Sequence, residues 1–259
     1  MLLELQDGII YGPVQSRRYG RSLGINLMPS RYKLCSFNCV YCHYGWTHKC
    51  TLEIEKSRPD LPAMNDVVAA LRRALRISGR LDLITFSGNG EPSLHPDFPA
   101  IVETTLRLRD EFKPTTRVAL LSNSTGLLWP EVRAAIERID LPIMKLDAGT
   151  ETTFTAMNRP AAGIRFEDIV ARLVAQKDIY IQTVLVGGHP ANSGEEELAA
   201  YFDLLARIRP LEVHLHSIDR PVPDAGIALI PPERLEAIAA EGTCRTGVPI
   251  RAFYVGQRS

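Results

Sequence analysis

The sequence predicts an α/β protein of parallel strands and helical crossovers, arranged as an open, partial (β/α)6 barrel with an N-terminal extension. Three observations lead there. Short apolar runs alternate with amphipathic stretches along the chain. The runs are rich in Val, Ile and Leu and bounded by Gly, Pro, Asn or Ser, as buried parallel strands are. Six such units and a C-terminal extra run fit into 259 residues, whereas a closed eight-stranded barrel needs two more units. A doubly wound open sheet is the alternative arrangement of the same elements.

In chain order, the strands are read at residues 23–27, 81–86, 118–121, 141–146, 179–186 and 213–216, with the extra run at 250–255. Val67, Val68, Leu71, Ala74 and Leu75 share one face at helical spacing, and so do Phe166, Ile169, Val170, Leu173 and Val174. Leu198, Tyr201, Phe202, Leu205 and Ile208 mark a third helix. Glu195, Glu196 and Glu197 suit the positive end of its dipole. Pro231-Pro232-Glu233 opens a final helix, since proline is tolerated in the first turn. No composition shift marks a boundary, so the expectation is one domain, 1–259. Its parts are an extension (1–21), a barrel core (22–218) and a C-terminal helix and strand (219–259).

Composition excludes several classes. The 30 basic and 30 acidic residues give zero formal charge, against a globally basic nucleic-acid binder. Hydrophobic content of 45% argues against intrinsic disorder. No stretch reaches the roughly 18 apolar residues of a membrane span. The N-terminal Met1-Leu2-Leu3-Glu4 lacks the basic region of a secretory signal. Five cysteines, an odd number, do not suit a secreted disulfide scaffold, and the expectation is a cytoplasmic protein without membrane contact.

Three of those cysteines fall in Cys35-Ser36-Phe37-Asn38-Cys39-Val40-Tyr41-Cys42, directly after the first strand run. Sites in β/α barrels are built at that end of the strands. Three thiolates can hold three irons of a cubane and leave the fourth open. Structural zinc is also consistent, with His43, His48 or Cys50 as fourth ligand, and so are unligated thiols. The spacing lacks the second cysteine pair of the usual zinc knuckles.

Other polar groups end the strand runs. Gly88-Asn89-Gly90-Glu91-Pro92 is not a P-loop, lacking Gly-Lys-Ser/Thr; it is either a tight turn or a place where carbonyls and a carboxylate meet an ammonium. Ser122-Asn123-Ser124 suits a turn or a ribose or carboxylate contact. Asp147 and Gln182 are pocket candidates, and His214 and His216 share a strand face, as barrel lining or a metal pair. Arg159 and Arg220 each precede proline and either hold an anion or tie down a loop. Arg17, Arg18, Arg21, Arg31 and Lys33 make the N-terminal region locally basic, as a solvated face or an anion or RNA contact.

With Tyr41 as the aromatic before the third cysteine, the pattern resembles the hallmark of the radical SAM superfamily. Residues 11–18, 22–27, 87–92, 145–149, 158–160 and 219–221 are similar to a bacterial and archaeal subgroup related to the tRNA wybutosine-synthesis enzymes. The resemblance spans nearly the whole chain and implies a radical SAM, TIM-like open barrel. It further implies that Cys35, Cys39 and Cys42 are the metal ligands of an oxygen-sensitive [4Fe-4S] cluster. S-adenosylmethionine (SAM) is then contacted by Tyr41, Gly88, Asn89, Gly90, Glu91, Ser122, Asn123, Asp147 and Gln182. Its methionine amine lies at the 88–91 segment, where Asn89 replaces the family's frequent Gly or Ser. Reductive cleavage of SAM yields a 5′-deoxyadenosyl radical that abstracts hydrogen from a small molecule or modified side chain. The electron donor is a flavodoxin or ferredoxin. A tRNA base-modifying enzyme, or a non-catalytic zinc- or Fe–S-binding interaction protein, are the other readings. Cys50 and Cys244 are expected to be ordinary thiols, too few for a second cubane. The N-terminal extension and the loops after the last strands are lid candidates.

Overall fold

The computed structural model describes residues 1–16 and 18–256, so Arg17 lies outside the described residues. They form two compact units, each discontinuous in sequence. One comprises 4–16, 18–36 and Thr47–Pro142; the other comprises Met1–Leu3, Phe37–Trp46 and 143–256.

In the first unit, strand β1 (Ile10–Ser16) folds back antiparallel onto β2 (Gly20–Ile25), so the extension is part of the sheet rather than an arm. A two-residue ladder joins β3 (Leu34–Cys35) to β4 (Lys49–Cys50). Strands β5 (Leu83–Phe86) and β6 (Arg117–Ser122) continue from β2 in parallel, in register Leu23↔Ile84 and Ile84↔Val118. All four residues of β5 are buried, which is why that run shows no polar alternation. Helix α1 (Met64–Ile77) buries Val67, Leu71 and Leu75, the face read from spacing. Helices α2 (Phe98–Phe112) and α3 (Pro130–Ile136) were not legible as helices. The buried face of α2 includes Thr104 and Thr105, and α3 is only 7 residues long.

In the second unit, β7 (Leu141–Lys145) precedes α4 (Glu151–Asn158) and α5 (Phe166–Ala175). Then come β8 (Tyr180–Val184), β9 (Val186–Gly188), α6 (Glu195–Ile208) and β10 (Glu212–His216). The unit ends with β11 (Ile227–Leu229), α7 (Pro232–Thr246) and β12 (Ile250–Ala252). Strands β7, β8, β10 and β12 pair in parallel in that order. β9 and β11 pair antiparallel in a separate two-stranded ribbon.

The run at 179–186 is therefore two strands, not one. Buried Asn192 makes the break: its Oδ1 accepts from Val186 N at 2.8 Å, and its Nδ2 donates to Val184 O at 2.8 Å and Asp147 O at 2.7 Å. Asn192→Leu strands one amide and two carbonyls and is expected to cost about 3 kcal/mol, read as a lower denaturant midpoint. An unchanged midpoint would show that water replaces the side chain.

Helix α4 was also missed, for a related reason. It is 8 residues with three threonines, weak helix formers. Glu197 of α6 compensates, its carboxylate accepting from Gly149 N at 2.5 Å and from Thr150 Oγ1 and Thr153 Oγ1 at 2.8 Å each.

Candidate active site

The cysteine segment is held by the end of a helix. The last carbonyls of α4 have no intrahelical donors, and loop amides supply them. Asn38 N donates to Asn158 O at 2.9 Å, and Val40 N to Met157 O at 3.0 Å. Phe37 packs edge-on against Phe154, with ring centroids 5.3 Å apart. Val40 and Tyr41 pack with Met157, Val186 and Ile227, with Cys39 against the same cluster. Apolar pegs thus fix the segment, and Cys35, Cys39, Cys42, Cys50 and Cys244 are in no disulfide among the described residues.

Polar groups around Cys39 form one network. Tyr41 Oη donates to Asp147 Oδ2. Asn158 Nδ2 lies 2.9 Å from Tyr41 Oη, 3.0 Å from Asp147 Oδ2 and 3.5 Å from Cys39 Sγ. Asp147 Oδ1 accepts from Val184 N at 2.8 Å and faces Lys145 Nζ at 3.4 Å. The Lys145 ammonium sits 4.6 Å from the Tyr41 ring centroid, a cation–π contact. Burial pushes the Cys39 thiol up to about 11, with nearby Cys42 and Asp147 adding to it. Burial first, then Asp147, likewise holds the Tyr41 phenol well above its ordinary value. Two buried polar atoms here have no hydrogen-bond partner among the described residues: Asn158 Oδ1 and His43 Nδ1. The other ring nitrogen of His43, Nε2, lies 3.5 Å from Asp219 Oδ1. Orphaned buried polar atoms beside Cys39 and Cys42 are what a site built around a further group leaves behind.

In the first unit, the Gly88–Pro92 turn follows β5. Gly90 lies against the backbone of Leu34, bridged in parallel. Gly88 adopts φ +134°, a conformation open mainly to glycine. The Asn89 side chain is buried and committed: Nδ2 donates to Gln6 O and Pro29 O at 2.9 Å each, while Oδ1 accepts from Gln6 N at 2.7 Å. Its role in the structure is to pin the N-terminal segment. The Glu91 carboxylate is equally committed. Oε1 accepts from Ser93 N at 3.0 Å, Ser93 Oγ, and Ser122 Oγ at 2.9 Å; Oε2 accepts from Asn123 N at 2.6 Å. Burial raises its pKa, and these donors pull it back. Glu91→Gln would set an amide NH2 against the Asn123 N–H. It is expected to cost about 2 kcal/mol in denaturation and to loosen the Asn123 turn. Asn123 in turn points Nδ2 at Ser36 Oγ, 2.8 Å, and Cys35 Sγ, 3.6 Å.

The remaining candidates separate. Gln182 sits in β8, registered between Lys145 and His214. His214 is buried with Nε2 3.1 Å from Glu212 Oε1. Both His214 and His216 contact Phe253, at 5.1 and 5.5 Å between ring centroids, so they share a face as strand alternation requires. Arg159 pairs with Asp224 at 3.0 Å and covers Trp46 at 4.6 Å, tying down loops. Arg220 Nε lies 4.0 Å from Asp219 Oδ1. Cys50 is exposed but registered beside Cys35, and Cys244 is exposed on α7. Sequence reasoning did not single out Asn158 as a site residue; its signal was the Asn-Arg-Pro ending of α4.

Parallel α/β units with three free cysteines after β2 define a class, and the sequence of the chain agrees. Residues 30–202 match the radical SAM superfamily, to which the chain belongs. It is 33% identical over 220 residues to a UPF0026 protein of Synechocystis, covering 83% of this chain and 77% of that one. It is 29% identical over 222 residues to a Brachyspira hyodysenteriae protein named GTPase Obg, covering 84% of this chain but only 31% of that one. Among solved structures it is similar to a radical SAM methyltransferase from Sphaerobacter thermophilus, with TM-score 0.65, 16% identity, and 91% of this chain and 67% of that one covered. It is also similar to TYW1 with a lysine–pyruvate adduct bound, with TM-score 0.55, 15% identity, and coverage of 86% and 72%.

The fold is thus the radical SAM fold, the α/β class of the partial TIM-like barrel. The chain is an enzyme that uses a [4Fe-4S] cluster and SAM, with a reductant and a substrate. Its residues fit such a group: three free soft donors, two amides beside them and two orphaned polar atoms. Among the described residues no helix is long and apolar enough to cross a membrane.

Proposed function

We propose that Cys35, Cys39 and Cys42 hold the cluster and that the chain is an oxidoreductase or lyase acting on a small molecule or a modified side chain. The observation that carries this is the Cys39 environment: a poorly solvated thiol beside the Asn158 amide, whose Oδ1 has no hydrogen-bond partner among the described residues. Among the described residues no three His, Cys, Asp or Glu side chains could share a single ion. A cubane does not need that, because each thiolate takes its own iron. When bound, cluster and SAM supply reductive cleavage of the sulfonium and a 5′-deoxyadenosyl radical that removes hydrogen from substrate.

The protein's part is orientation and exclusion of water. Gly88 and Gly90 would hold the methionine end of SAM, in a turn that the Asn89 and Glu91 side chains fix. Ser122, Asn123, Asp147, Gln182 and Tyr41 would contribute the other SAM contacts. Tyr41 and Asn158 keep Asp147 oriented, and Lys145 stays at the end of β7 by pairing with it. The domain is single, the location cytoplasmic, and the electron donor a flavodoxin or ferredoxin. Zero net charge supports a small substrate over tRNA.

The test is anaerobic reconstitution, which should give about four irons and four sulfides per chain, the content of one cubane. Dithionite and SAM should then yield 5′-deoxyadenosine, and deuterated candidate substrates should pass label into it. No 5′-deoxyadenosine from an intact, reducible cluster would overturn the reading. A shift of bulk tRNA with a steep salt dependence would move the substrate to RNA.

A further inference from the structure

Two asparagines stand in matching positions beside two of the three cysteines. Asn158 Nδ2 is 3.5 Å from Cys39 Sγ in one unit, and Asn123 Nδ2 is 3.6 Å from Cys35 Sγ in the other. Both are normal lengths for N–H···S contacts. Chemistry fixes which end of each amide faces sulfur. Flipping Asn158 would press its oxygen against the Asp147 carboxylate, which has no proton to give when ionised. Flipping Asn123 would turn an NH2 onto Thr125 N–H, which now donates to Oδ1 at 3.1 Å.

Each asparagine is also followed by a non-glycine residue in the left-handed region: Arg159 at φ 44° and Ser124 at φ 76°. Such conformations are unfavourable for these residues and persist where the surroundings impose them, often at functional sites. Here they turn the chain directly after the amide. Asn158 closes α4, and Asn123 follows β6. Both asparagines are buried, so water does not compete for the contact and the amide dipole is little screened.

We propose that the side-chain amides of Asn158 and Asn123 donate to the cluster sulfurs of Cys39 and Cys35 and raise the reduction potential of the cluster. An N–H aimed at a ligating sulfur withdraws negative charge and favours the state carrying the extra electron. The inference rests on the cluster assignment above. In this role both asparagines act through the ligands, Asn158 as a positioning residue and Asn123 in addition to its proposed SAM contact.

The experiment is a spectroelectrochemical titration of the reconstituted protein without SAM. Asn158→Leu keeps the branched shape, at a somewhat larger volume, and removes the donor. Asn123→Ser removes the amide but keeps a hydroxyl for the turn. Each variant should hold its cluster with a midpoint potential more negative than the parent, and the double variant should be lower still. Parent-like potentials in both single variants would overturn the proposal. Should a variant fail to retain iron, pulsed EPR of the reduced parent protein labelled with [15N]asparagine decides. Coupling of the cluster spin to 15N is expected, and its absence would overturn the proposal. A parent protein without a cubane would instead refute the cluster assignment.

Discussion

Alanine at Gly90 is expected to destabilise the protein by about 3 kcal/mol or more and to abolish cluster retention. An ideal Cβ at Gly90 would stand 1.6 Å from Leu34 O and 2.7 Å from Leu34 C. Both are backbone atoms, so no rotamer change relieves the clash. Relief means moving β3, which carries Cys35, away from the Gly88–Pro92 turn. The loss should appear together in a denaturant midpoint and in iron bound per chain. Gly79→Ala is the control, since a Cβ there meets nothing within 4 Å. A Gly90 variant as stable as the Gly79 one would mean that the Leu34–Gly90 approach is not a constraint in solution.

Serine at Cys39 is expected to lower bound iron from about four per chain to less than one and to end 5′-deoxyadenosine formation. The side chain shrinks little and the segment stays pegged by Val40, Tyr41 and Phe37, so circular dichroism should not change. Cys35→Ser and Cys42→Ser should match it. Cys50→Ser and Cys244→Ser should retain both iron and turnover, even though Cys50 lies in register with Cys35. Loss of iron in Cys50→Ser would add a fourth ligand to the proposed set.

The strand and helix order was legible wherever one face or both were cleanly apolar: β5 and β6, α1, α5 and α6 follow the spacing within a few residues. It failed where a side chain from elsewhere did the shaping. The break between β8 and β9 depends on Asn192, and α4 depends on Glu197, 44 residues beyond Thr153. Neither leaves a local pattern. Glu91 and Asn89 stand in the turn after β5, and their side chains are spent on the protein itself.

By itself, then, the sequence determined the α/β class, the five thiols' unequal spacing and the family whose chemistry the resemblance implies. These are local properties: periodicity follows from backbone geometry, and the cysteine spacing is read directly along the chain. Only the tertiary structure decided which polar groups attend the cysteines. Tyr41 meets Asp147 across 106 residues, Asn158 meets Cys39 across 119, and Asn123 meets Cys35 across 88. The reason is physical. A hydrogen bond needs its atoms placed to within a few tenths of an ångström, and over such separations only the packed core fixes them that closely.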